Sequence, residues 1–265
     1  MEAIEDKVAV VTGGGSGIGR GIALALAGAG TNVVVADIDA DNAAKVAAEV
    51  SAKGPRGFAV TSDVTQADSV ESLAQAASTE FGGVDIVCNN AGVYLGGEMA
   101  DTTFDDWRFV LSVNLDGMFL VGQRFAKLLR EQGRGGHIVN TASIGGFLAH
   151  GGAVAYAASK FGVVAYSEAL RGDLEPLGIG VSTLCPGPIR TNLAASDRLR
   201  DPGEHAGGKS QALWDFIREG MEPEEVGNIV VEGIRDNAAY IFTHDWSDAF
   251  AERFQNVLKG FERLR

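Results

Sequence analysis

Short runs of β-branched residues alternate with longer alanine-rich segments along most of the chain. The first runs, at residues 8–11 and 32–36, are followed by alanine-rich segments at 19–28 and 41–52. Such alternation is typical of βαβ units. The pattern continues through predicted strands at 58–61, 84–88, 137–140, 179–184 and 240–243, and predicted helices at 65–81, 103–132, 154–177 and 223–235.

The alternation never separates into a block of strands and a block of helices, which favours one layered α/β unit. The segments at 33–35 and 84–87 are apolar at every position, as expected for parallel strands covered on both faces. We therefore predict one doubly wound, seven-stranded parallel sheet with helices on both faces, in a single domain over residues 1–265. Thr65 and Thr103, each followed three positions later by aspartate, predict capping boxes at two helix starts.

The chain is acidic, because 22 lysines and arginines face 35 aspartates and glutamates and give a net charge of −13. Nucleic acids and anionic membranes require clustered cations, and the sequence has no dense basic run. No stretch reaches about 18 uninterrupted apolar residues, and residues 1–7 are acidic where a secretory signal is basic. We therefore predict a cytoplasmic protein that binds neither nucleic acids nor membranes. Cys88 and Cys185 lack metal-site spacing, so no metal is predicted.

Residues 13–19 form a glycine-rich run between the first predicted strand and the following helix. Gly13, Gly17 and Gly19 have the spacing GxxxGxG, with Ser16 and Ile18 between them. The free N–H groups and dipole of a helix N-terminus bind phosphate, and glycine lets the phosphate approach the backbone. We predict that this run binds the pyrophosphate of a dinucleotide. The alternative is a glycine turn needed only to pack helix on strand.

Asp37 ends the second predicted strand, 18 residues after Gly19. In dinucleotide-binding sheets a carboxylate near this position binds the adenosine ribose hydroxyls. Its charge repels a ribose 2′-phosphate, and Ser16 stands where a phosphate-binding cation would help. We therefore predict NAD as the cofactor rather than NADP. In the alternative interpretation, Asp37 only caps the next turn together with Asp39 and Asp41.

Tyr156 and Lys160 are four positions apart in a predicted helix and therefore share one face. A nearby ammonium favours the phenolate and lowers the pKa of a tyrosine from about 10. Ser143 follows the predicted strand at 137–140, at the edge where open α/β sheets bind ligands. These three residues could act together on the oxygen of an alcohol or ketone. A tyrosine and a lysine one turn apart also occur on ordinary solvated helix faces.

Further motifs share one order and spacing with a known enzyme family: Thr12, Asp63-Val64, Asn89-Asn90-Ala91-Gly92, Asn114 and Pro186-Gly187. Together with the glycine-rich run, Ser143 and Tyr-x-x-x-Lys, these motifs make residues 7–192 resemble the short-chain dehydrogenases/reductases. The resemblance implies a Rossmann-like fold, hydride exchange with a nicotinamide dinucleotide, and a homodimer or homotetramer.

The resemblance also implies roles for the site residues. Tyr156 is the general acid/base, Ser143 positions the substrate oxygen, and Lys160 binds the nicotinamide ribose and lowers the pKa of Tyr156. Asn114 holds a water that links Lys160 to solvent, unless it is an ordinary helix-interior amide. The remaining implied cofactor contacts are Asp63 and Val64 at the adenine, Asn90, Ala91 and Gly92 in the cleft, and Pro186, Gly187, Ile189 and Thr191 beside the nicotinamide amide.

Residues 187–220 lack helix or strand periodicity, and a gap of this length is typically functional. We predict a flap over the site, with an irregular surface excursion as the alternative. The substrate contacts that we predict are mostly apolar and aromatic, and such a surface suits a bulky secondary alcohol. For His150 and Trp214 the alternatives are a solvated loop histidine and a hydrophobic plug in the flap. The resemblance places the substrate contacts at Tyr94, Phe147, His150, Leu193, Leu199, Trp214 and Phe216.

The segment 246–265 predicts an amphipathic helix, with Phe250, Phe254, Leu258 and Phe261 on one stripe. Many family members instead end in a glycine-rich segment engaged in subunit contacts. The stripe packs either on the chain's own core or across a subunit interface.

The sequence thus predicts an NAD-dependent dehydrogenase that reversibly oxidises a bulky, aromatic or polycyclic secondary alcohol to the ketone. One alternative is a 3-oxoacyl or other ketone reductase, which would normally use NADPH and carry a cationic patch for an acidic carrier protein. Another is a cofactor-binding protein without turnover, which the complete set of Asn114, Ser143, Tyr156 and Lys160 argues against.

Overall fold

The computed structural model of the chain describes residues 1, 3–200 and 211–264. Seven strands form a sheet in the order β3-β2-β1-β4-β5-β6-β7, and every neighbouring pair is parallel. This confirms the predicted doubly wound, seven-stranded parallel sheet. The strands are β1 (Val8–Thr12), β2 (Asn32–Asp37), β3 (Gly57–Thr61), β4 (Ile86–Asn89), β5 (Gly136–Thr141), β6 (Ile179–Cys185) and β7 (Tyr240–Phe242).

Helices cover both faces of the sheet, as predicted, because successive strand residues point to opposite sides. Val11 and Val35 pack with α1, α2 and α8, whereas Val10 and Val34 pack with α3, α5 and α6. The predicted helix at 154–177 ends at Leu174 and continues as a 3₁₀ turn over Glu175–Leu177. The helices are α1 (Gly17–Gly28), α2 (Ala40–Ser51), α3 (Ala67–Phe81), α4 (Phe104–Leu111), α5 (Met118–Gln132), α6 (Val154–Leu174), α7 (Gln211–Arg218), α8 (Pro223–Arg235) and α9 (Ser247–Lys259).

The predicted helix at 103–132 is interrupted, because a π-helical segment over Ser112–Gly117 joins α4 to α5. Its backbone stays in the right-handed helical region at both ends, and its wider turn carries Asn114. Such π segments are rare and are frequent at functional sites. Nothing in the residue pattern indicated it.

One predicted capping box is confirmed and the other is wrong. Thr103 Oγ1 accepts a hydrogen bond from Asp106 N, and Asp106 Oδ2 accepts one from Thr103 N. Thr65 instead donates both its N–H and its hydroxyl to Asp63 Oδ1. The helix therefore begins later, at Ala67, without a side-chain cap.

The predicted flap at 187–220 contains helical structure in its described parts, namely a 3₁₀ segment over Leu193–Leu199 and α7. Residues 201–210 lie outside the described chain. Its two ends are joined, because Arg190 N donates to Met221 O and Met221 N donates to Pro188 O, both at 3.0 Å. The Arg190 guanidinium also pairs with Glu222. The segment therefore leaves the sheet and returns to it at one place.

The C-terminal helix packs on the chain mainly through its first turn. Phe250 contacts Phe147 and Phe242, with ring centroids 4.9 and 5.6 Å apart. None of the thirteen described residues of α9 is buried, and Phe254, Leu258 and Phe261 are about half exposed or more. Packing on the chain's own core therefore holds for one end of the stripe only. No helix in the described ranges is long and apolar enough to cross a membrane.

Both cysteines lie at the sheet. Cys88 in β4 and Cys185 at the end of β6 are free thiols with no exposed surface. Burial raises the pKa of each to about 12.

Candidate active site

The glycine-rich run between β1 and α1 leaves no space for side chains. Gly13 and Gly17 have φ of +60° and +50°, a region that favours glycine. A Cβ at Gly19 would lie 2.1 Å from the carbonyl oxygen of Gly13, which is backbone and cannot move aside. Ser16 precedes α1, but its side chain does not cap the first turn, and Ile18 packs on the apolar cluster under α1. The first N–H groups of α1 have no intrahelical acceptor and no side-chain cap, so they can donate to a ligand.

Asp37 joins the glycine-rich run to the end of β2. Its Oδ2 accepts a hydrogen bond from Gly15 N at 2.8 Å, and its Oδ1 accepts one from Asp39 N at 3.0 Å. The cap of α2 is Asp39, whose Oδ1 accepts from Asn42 N. Asp37 thus supports the following turn, as the alternative interpretation held, and also lies at the carboxyl edge beside the glycine backbone.

Asn90 ties together the ends of three strands. Asn90 N and Ala91 N both donate to Thr12 Oγ1, at 2.9 and 3.1 Å, and Asn90 Nδ2 donates to Thr12 O. Thr141 Oγ1 donates to Asn90 Oδ1 at 3.3 Å. The ends of β1, β4 and β5 therefore move as one unit. Thr141 was not predicted as a site residue, because a threonine at a strand end carries no distinguishing signal.

Tyr156 lies in the first turn of α6, half-buried, and Ser143 lies buried just after β5. Burial raises the pKa of Tyr156 to about 12, a hydrogen bond with Ser143 lowers it in part, and Tyr94 raises it further. The Tyr94 ring meets the Tyr156 ring edge-on, with centroids 5.0 Å apart. Ser143 Oγ also accepts from Gly145 N at 3.0 Å, which fixes the hydroxyl beside the tyrosine.

Lys160 is buried one turn after Tyr156. Its Nζ donates to Thr141 O at 2.9 Å and lies 5.6 Å from the centroid of the Tyr156 ring. Burial lowers the pKa of this ammonium from 10.5 to about 8. The predicted lowering of the Tyr156 pKa is therefore wrong for this structure, because the ammonium points to the Thr141 carbonyl and desolvation of the phenolate dominates.

Asn114 lies fully buried in the π-helical segment. Its Oδ1 accepts from Val93 N at 2.8 Å, and its Nδ2 donates to Val93 O and Ser159 Oγ at 2.9 and 3.1 Å. A Cβ at Gly92 would lie 3.4 Å from Asn114 Oδ1 and 3.5 Å from Lys160 Nζ. The amide therefore clamps the backbone next to Lys160. Its water-holding role stays a prediction.

Comparison with known proteins agrees with this arrangement. The sequence model for short chain dehydrogenases matches residues 7–201. The chain belongs to the short-chain dehydrogenase/reductase family. The proteins that this short-chain dehydrogenase/reductase matches are named as dehydrogenases or oxidoreductases.

Its relatives include 1-deoxy-11-beta-hydroxypentalenate dehydrogenase of Streptomyces exfoliatus, 38% identical over 248 residues that cover 93% of this chain and 85% of that protein. Probable oxidoreductase EphD of Mycobacterium tuberculosis is 37% identical over 234 residues; these are 87% of this chain but only 40% of EphD. A short-chain dehydrogenase/reductase from Burkholderia phymatum, solved in complex with NAD, has a TM-score of 0.88 and 36% identity, covering 92% of this chain and 91% of that one.

The two predicted adenine contacts of this short-chain dehydrogenase/reductase follow β3. Asp63 is half-buried and holds Thr65, as described above. Val64 is buried, and a Cβ at Gly117 would lie 2.9 Å from Val64 Cγ2. Val64 therefore packs directly on the π-helical segment.

The predicted nicotinamide border lies beside Ser143, because Ile144 N donates to Pro186 O at 2.9 Å. Ile189 is buried. The Thr191 side chain reaches the glycine-rich run, since a Cβ at Gly17 would lie 3.1 Å from Thr191 Cγ2. The structure thus brings the start of the flap to both the glycine-rich run and Ser143.

Of the predicted substrate contacts, Tyr94 touches Tyr156, and the 3₁₀ segment that begins at Leu193 touches Tyr94 through Ser196. Phe147 packs in an aromatic cluster with Phe250 rather than standing alone. Trp214 is half-buried in α7.

Three other predicted contacts are exposed. His150 Nδ1 lies 2.9 Å from the carbonyl of its neighbour Gly151, which fits the solvated alternative. Leu199 and Phe216 are almost half exposed, and no ring contact of Phe216 occurs within the described chain.

The sequence analysis missed His244 and Trp246. A Cβ at Gly187 would lie 2.7 Å from His244 Nδ1 and 3.2 Å from Trp246 Nε1. Thr243 Oγ1 accepts from Gly187 N at 3.0 Å and lies 2.7 Å from His244 Nδ1. The segment after β7 therefore covers the Pro186–Gly187 turn. Its position at a carboxyl strand end was the one signal available.

Proposed function

We propose that this protein is an NAD-dependent dehydrogenase that reversibly oxidises a bulky secondary alcohol, aromatic or polycyclic, to the ketone. The observation that carries the proposal is the convergence of Ser143, Tyr156, Lys160 and Asn114 beside the glycine-rich run. A protein that only binds the cofactor would not need the Ser143 hydroxyl fixed beside the hydroxyl of Tyr156.

The cofactor cleft fits a dinucleotide, because no side chain caps the first turn of α1 and its free N–H groups can bind a pyrophosphate. The Asp37 carboxylate at the end of β2 supports NAD over NADP. A bound nicotinamide ring would supply the hydride acceptor. In this proposal the cofactor is held by Gly13, Ser16, Gly17, Ile18, Gly19, Asp37, Asp63, Val64, Asn90, Ala91, Gly92, Tyr156, Lys160, Pro186, Gly187, Ile189 and Thr191.

Tyr156 exchanges the proton of the alcohol oxygen, and the Ser143 hydroxyl orients that oxygen. A pKa of about 12 keeps Tyr156 protonated at neutral pH, so the residue is ready to act as an acid. As a base Tyr156 must first lose this proton, and a higher pH favours that loss. The rate of alcohol oxidation should therefore rise with pH, while ketone reduction should be faster at neutral pH.

The protonated Tyr156 also favours a second candidate, a 3-oxoacyl or other ketone reductase, because reduction requires an acid at this position. The relative named as a dehydrogenase of a hydroxypentalenate supports oxidation instead. Tyr94 and Phe147 supply the aromatic surface that supports a bulky substrate.

A homodimer or homotetramer is part of the proposal. Phe119 of α5 is half exposed beside Tyr166 of α6, and the stripe of α9 is exposed beyond Phe250. Exposed apolar patches of this kind mark interfaces. Light scattering of the purified protein measures the assembly. The cytoplasmic location stays a prediction.

The test is a panel of aliphatic, aryl and polycyclic secondary alcohols with NAD or NADP, followed by the absorbance of the reduced cofactor. We expect the highest kcat/KM for bulky alcohols with NAD. Tyr156→Phe should lower turnover by about a thousandfold or more and weaken NAD binding far less, as measured in a fluorescence titration. Oxidation retained in that variant would remove Tyr156 from the mechanism.

A further inference from the structure

A buried ion pair connects the flap to α4. Arg200 Nη1 donates to Asp106 Oδ1, and the two side chains are only 3% and 4% exposed. The other carboxylate oxygen, Asp106 Oδ2, accepts from the N–H and hydroxyl of Thr103. The Arg200 guanidinium also lies 5.5 Å from the centroid of the Phe109 ring. Each end of the pair is therefore fixed by further contacts in α4.

A second contact connects the same flap segment to the loop after β4. Tyr94 N donates to Ser196 Oγ at 3.1 Å, and Ser196 Oγ in turn donates to Leu193 O at 2.6 Å. On the other side, Asn114 bonds both the N–H and the carbonyl of Val93. The dipeptide Val93–Tyr94 is thus held by the helix from one side and by the flap from the other.

These contacts close a circuit. It runs from Asp106 to Arg200, along the flap to Ser196, across to Tyr94, and back through Asn114 to the helix that carries Asp106. We call these five residues the clasp. Because the Tyr94 ring meets the Tyr156 ring, the clasp ends at the proposed acid/base.

Stability alone does not account for the ion pair. Removing two charges from water costs about as much as their attraction returns, so buried pairs are weak stabilisers and are better explained by the geometry they fix. Here the fixed geometry is that of the flap against the loop that carries Tyr94.

We propose that Asp106 and Arg200 are positioning residues that hold residues 193–200 of the flap against the loop that carries Tyr94 and thereby set the position of Tyr94 against Tyr156. This inference rests on the proposed function, because Tyr156 is taken as the acid/base. The glycine-rich run follows β1 and Asp37 ends β2, so neither is part of the circuit. Breaking the pair should therefore affect substrate binding more than cofactor binding.

The kinetic experiment compares Arg200→Met, which keeps the aliphatic stem, and Asp106→Asn with the wild type. We expect kcat/KM for the alcohol to fall about tenfold or more, mainly through KM, because small displacements near reacting groups are costly. The Kd for NAD should stay within about twofold. Arg200→Lys, which restores the charge, should recover most of the loss.

Asp85→Asn is the matched control. Asp85 is also a buried carboxylate that accepts from a backbone N–H, that of Val8, and pairs with an arginine, Arg134. It precedes β4 and therefore lies at the amino ends of the strands, whereas the site lies at their carboxyl ends. The control should lower stability without changing KM, which separates positioning from general destabilisation.

Hydrogen exchange gives a measurement that needs no activity. Peptides covering 93–99 and 193–199 should exchange about tenfold faster in Arg200→Met than in the wild type or Asp85→Asn. Should the charge variants fail to fold, Ser196→Ala removes one link of the clasp without touching a charge, and faster exchange over 93–99 is again expected.

Unchanged exchange in these peptides together with an unchanged KM would overturn the clasp. If the wild type oxidises no alcohol but Arg200→Met still accelerates exchange at both peptides, the proposed function fails and the clasp stands. If the wild type is active and the variants match Asp85→Asn in every measurement, the clasp fails and the proposed function stands.

Discussion

The cofactor end and the substrate end of the cleft are built by different kinds of contact. At the cofactor end, backbone approaches backbone so closely that a Cβ at Gly19 would lie 2.1 Å from a carbonyl oxygen. At the substrate end, side chains distant in sequence meet, as Arg200 meets Asp106 and Phe250 meets Phe147. Steric exclusion admits glycine only, whereas a side-chain contact can be made by many residue pairs. The first end should therefore tolerate substitution far less than the second.

Of the substitutions that test this difference, Gly19→Ala at the cofactor end is expected to have the largest effect. The added methyl group would collide with Gly13 O and with Asn90 Nδ2, so the loop must distort. We expect affinity for NAD to fall about a hundredfold or more, near 3 kcal/mol, in a titration. Gly28→Ala at the end of the same helix is the control: an added Cβ would meet no atom within 4 Å outside its own helical turn, so affinity for NAD should stay unchanged. If Gly19→Ala binds NAD as tightly as the wild type, the cofactor end is not less tolerant of substitution than the substrate end.

Lys160→Met tests the buried cation between the two ends. A pKa lowered from 10.5 to about 8 means that the charged form is disfavoured by folding. The variant should lose turnover and gain about 1–3 kcal/mol of stability at pH 7, the loss of the bond to Thr141 O offsetting part of the gain. Urea denaturation measures the difference.

The stability difference between Lys160→Met and the wild type should depend on pH, and its sign follows from proton linkage. Between about pH 8 and 10.5 the unfolded wild type binds more protons at Lys160 than the folded protein, so wild-type stability rises with pH there. The advantage of Lys160→Met should shrink over that interval. A constant advantage would show that Lys160 is not buried as a cation.

Asp37→Ala tests whether a charged side chain at the cofactor end sets the preference for NAD over NADP. Without the carboxylate, the preference for NAD over NADP in kcat/KM should fall about tenfold, because the repulsion of a 2′-phosphate is removed. Asp39→Ala is the control, since it removes the cap of α2 at a cost of about 1 kcal/mol without changing the preference. If Asp37→Ala still prefers NAD over NADP to the same degree, the carboxylate only supports the following turn.

Phe147→Ala should have the smallest effect. Its ring is one member of an aromatic cluster, so neighbouring rings can fill part of the space. We expect KM for a bulky alcohol to rise about threefold to fivefold, and affinity for NAD to stay constant. Phe254→Ala, at the exposed end of the cluster, should leave KM unchanged. A large loss of NAD affinity in Phe147→Ala would contradict the independence of the two ends.

The same contrast explains what the sequence could predict. The seven parallel strands, the glycine-rich run and the placement of Asp37 after β2 follow from periodicity and from glycine spacing, which backbone sterics impose. Tyr156 and Ser143 were identified from helix spacing and strand position, and Asn114 through the family resemblance; the structure brings all three to one edge of the sheet. Their catalytic roles stay predictions.

Other features depend on competition between side chains, which a residue pattern does not record. Thr65 had two possible partners, and Asp63 rather than Asp68 engages it. Lys160 points to the Thr141 carbonyl, a choice fixed by packing. Trp246 lies far along the chain from Gly187, and only the completed sheet brings the two together.

The two buried thiols make this chain a convenient starting point for site-specific labelling. With pKa values near 12, Cys88 and Cys185 are ionised in only about one molecule in 10⁵ at pH 7, and neither is accessible to a reagent. A cysteine introduced at the exposed Phe216 in α7 would then be the sole thiol to react with a maleimide dye. A fluorophore at that position could follow the approach of substrate in real time, without any background mutation.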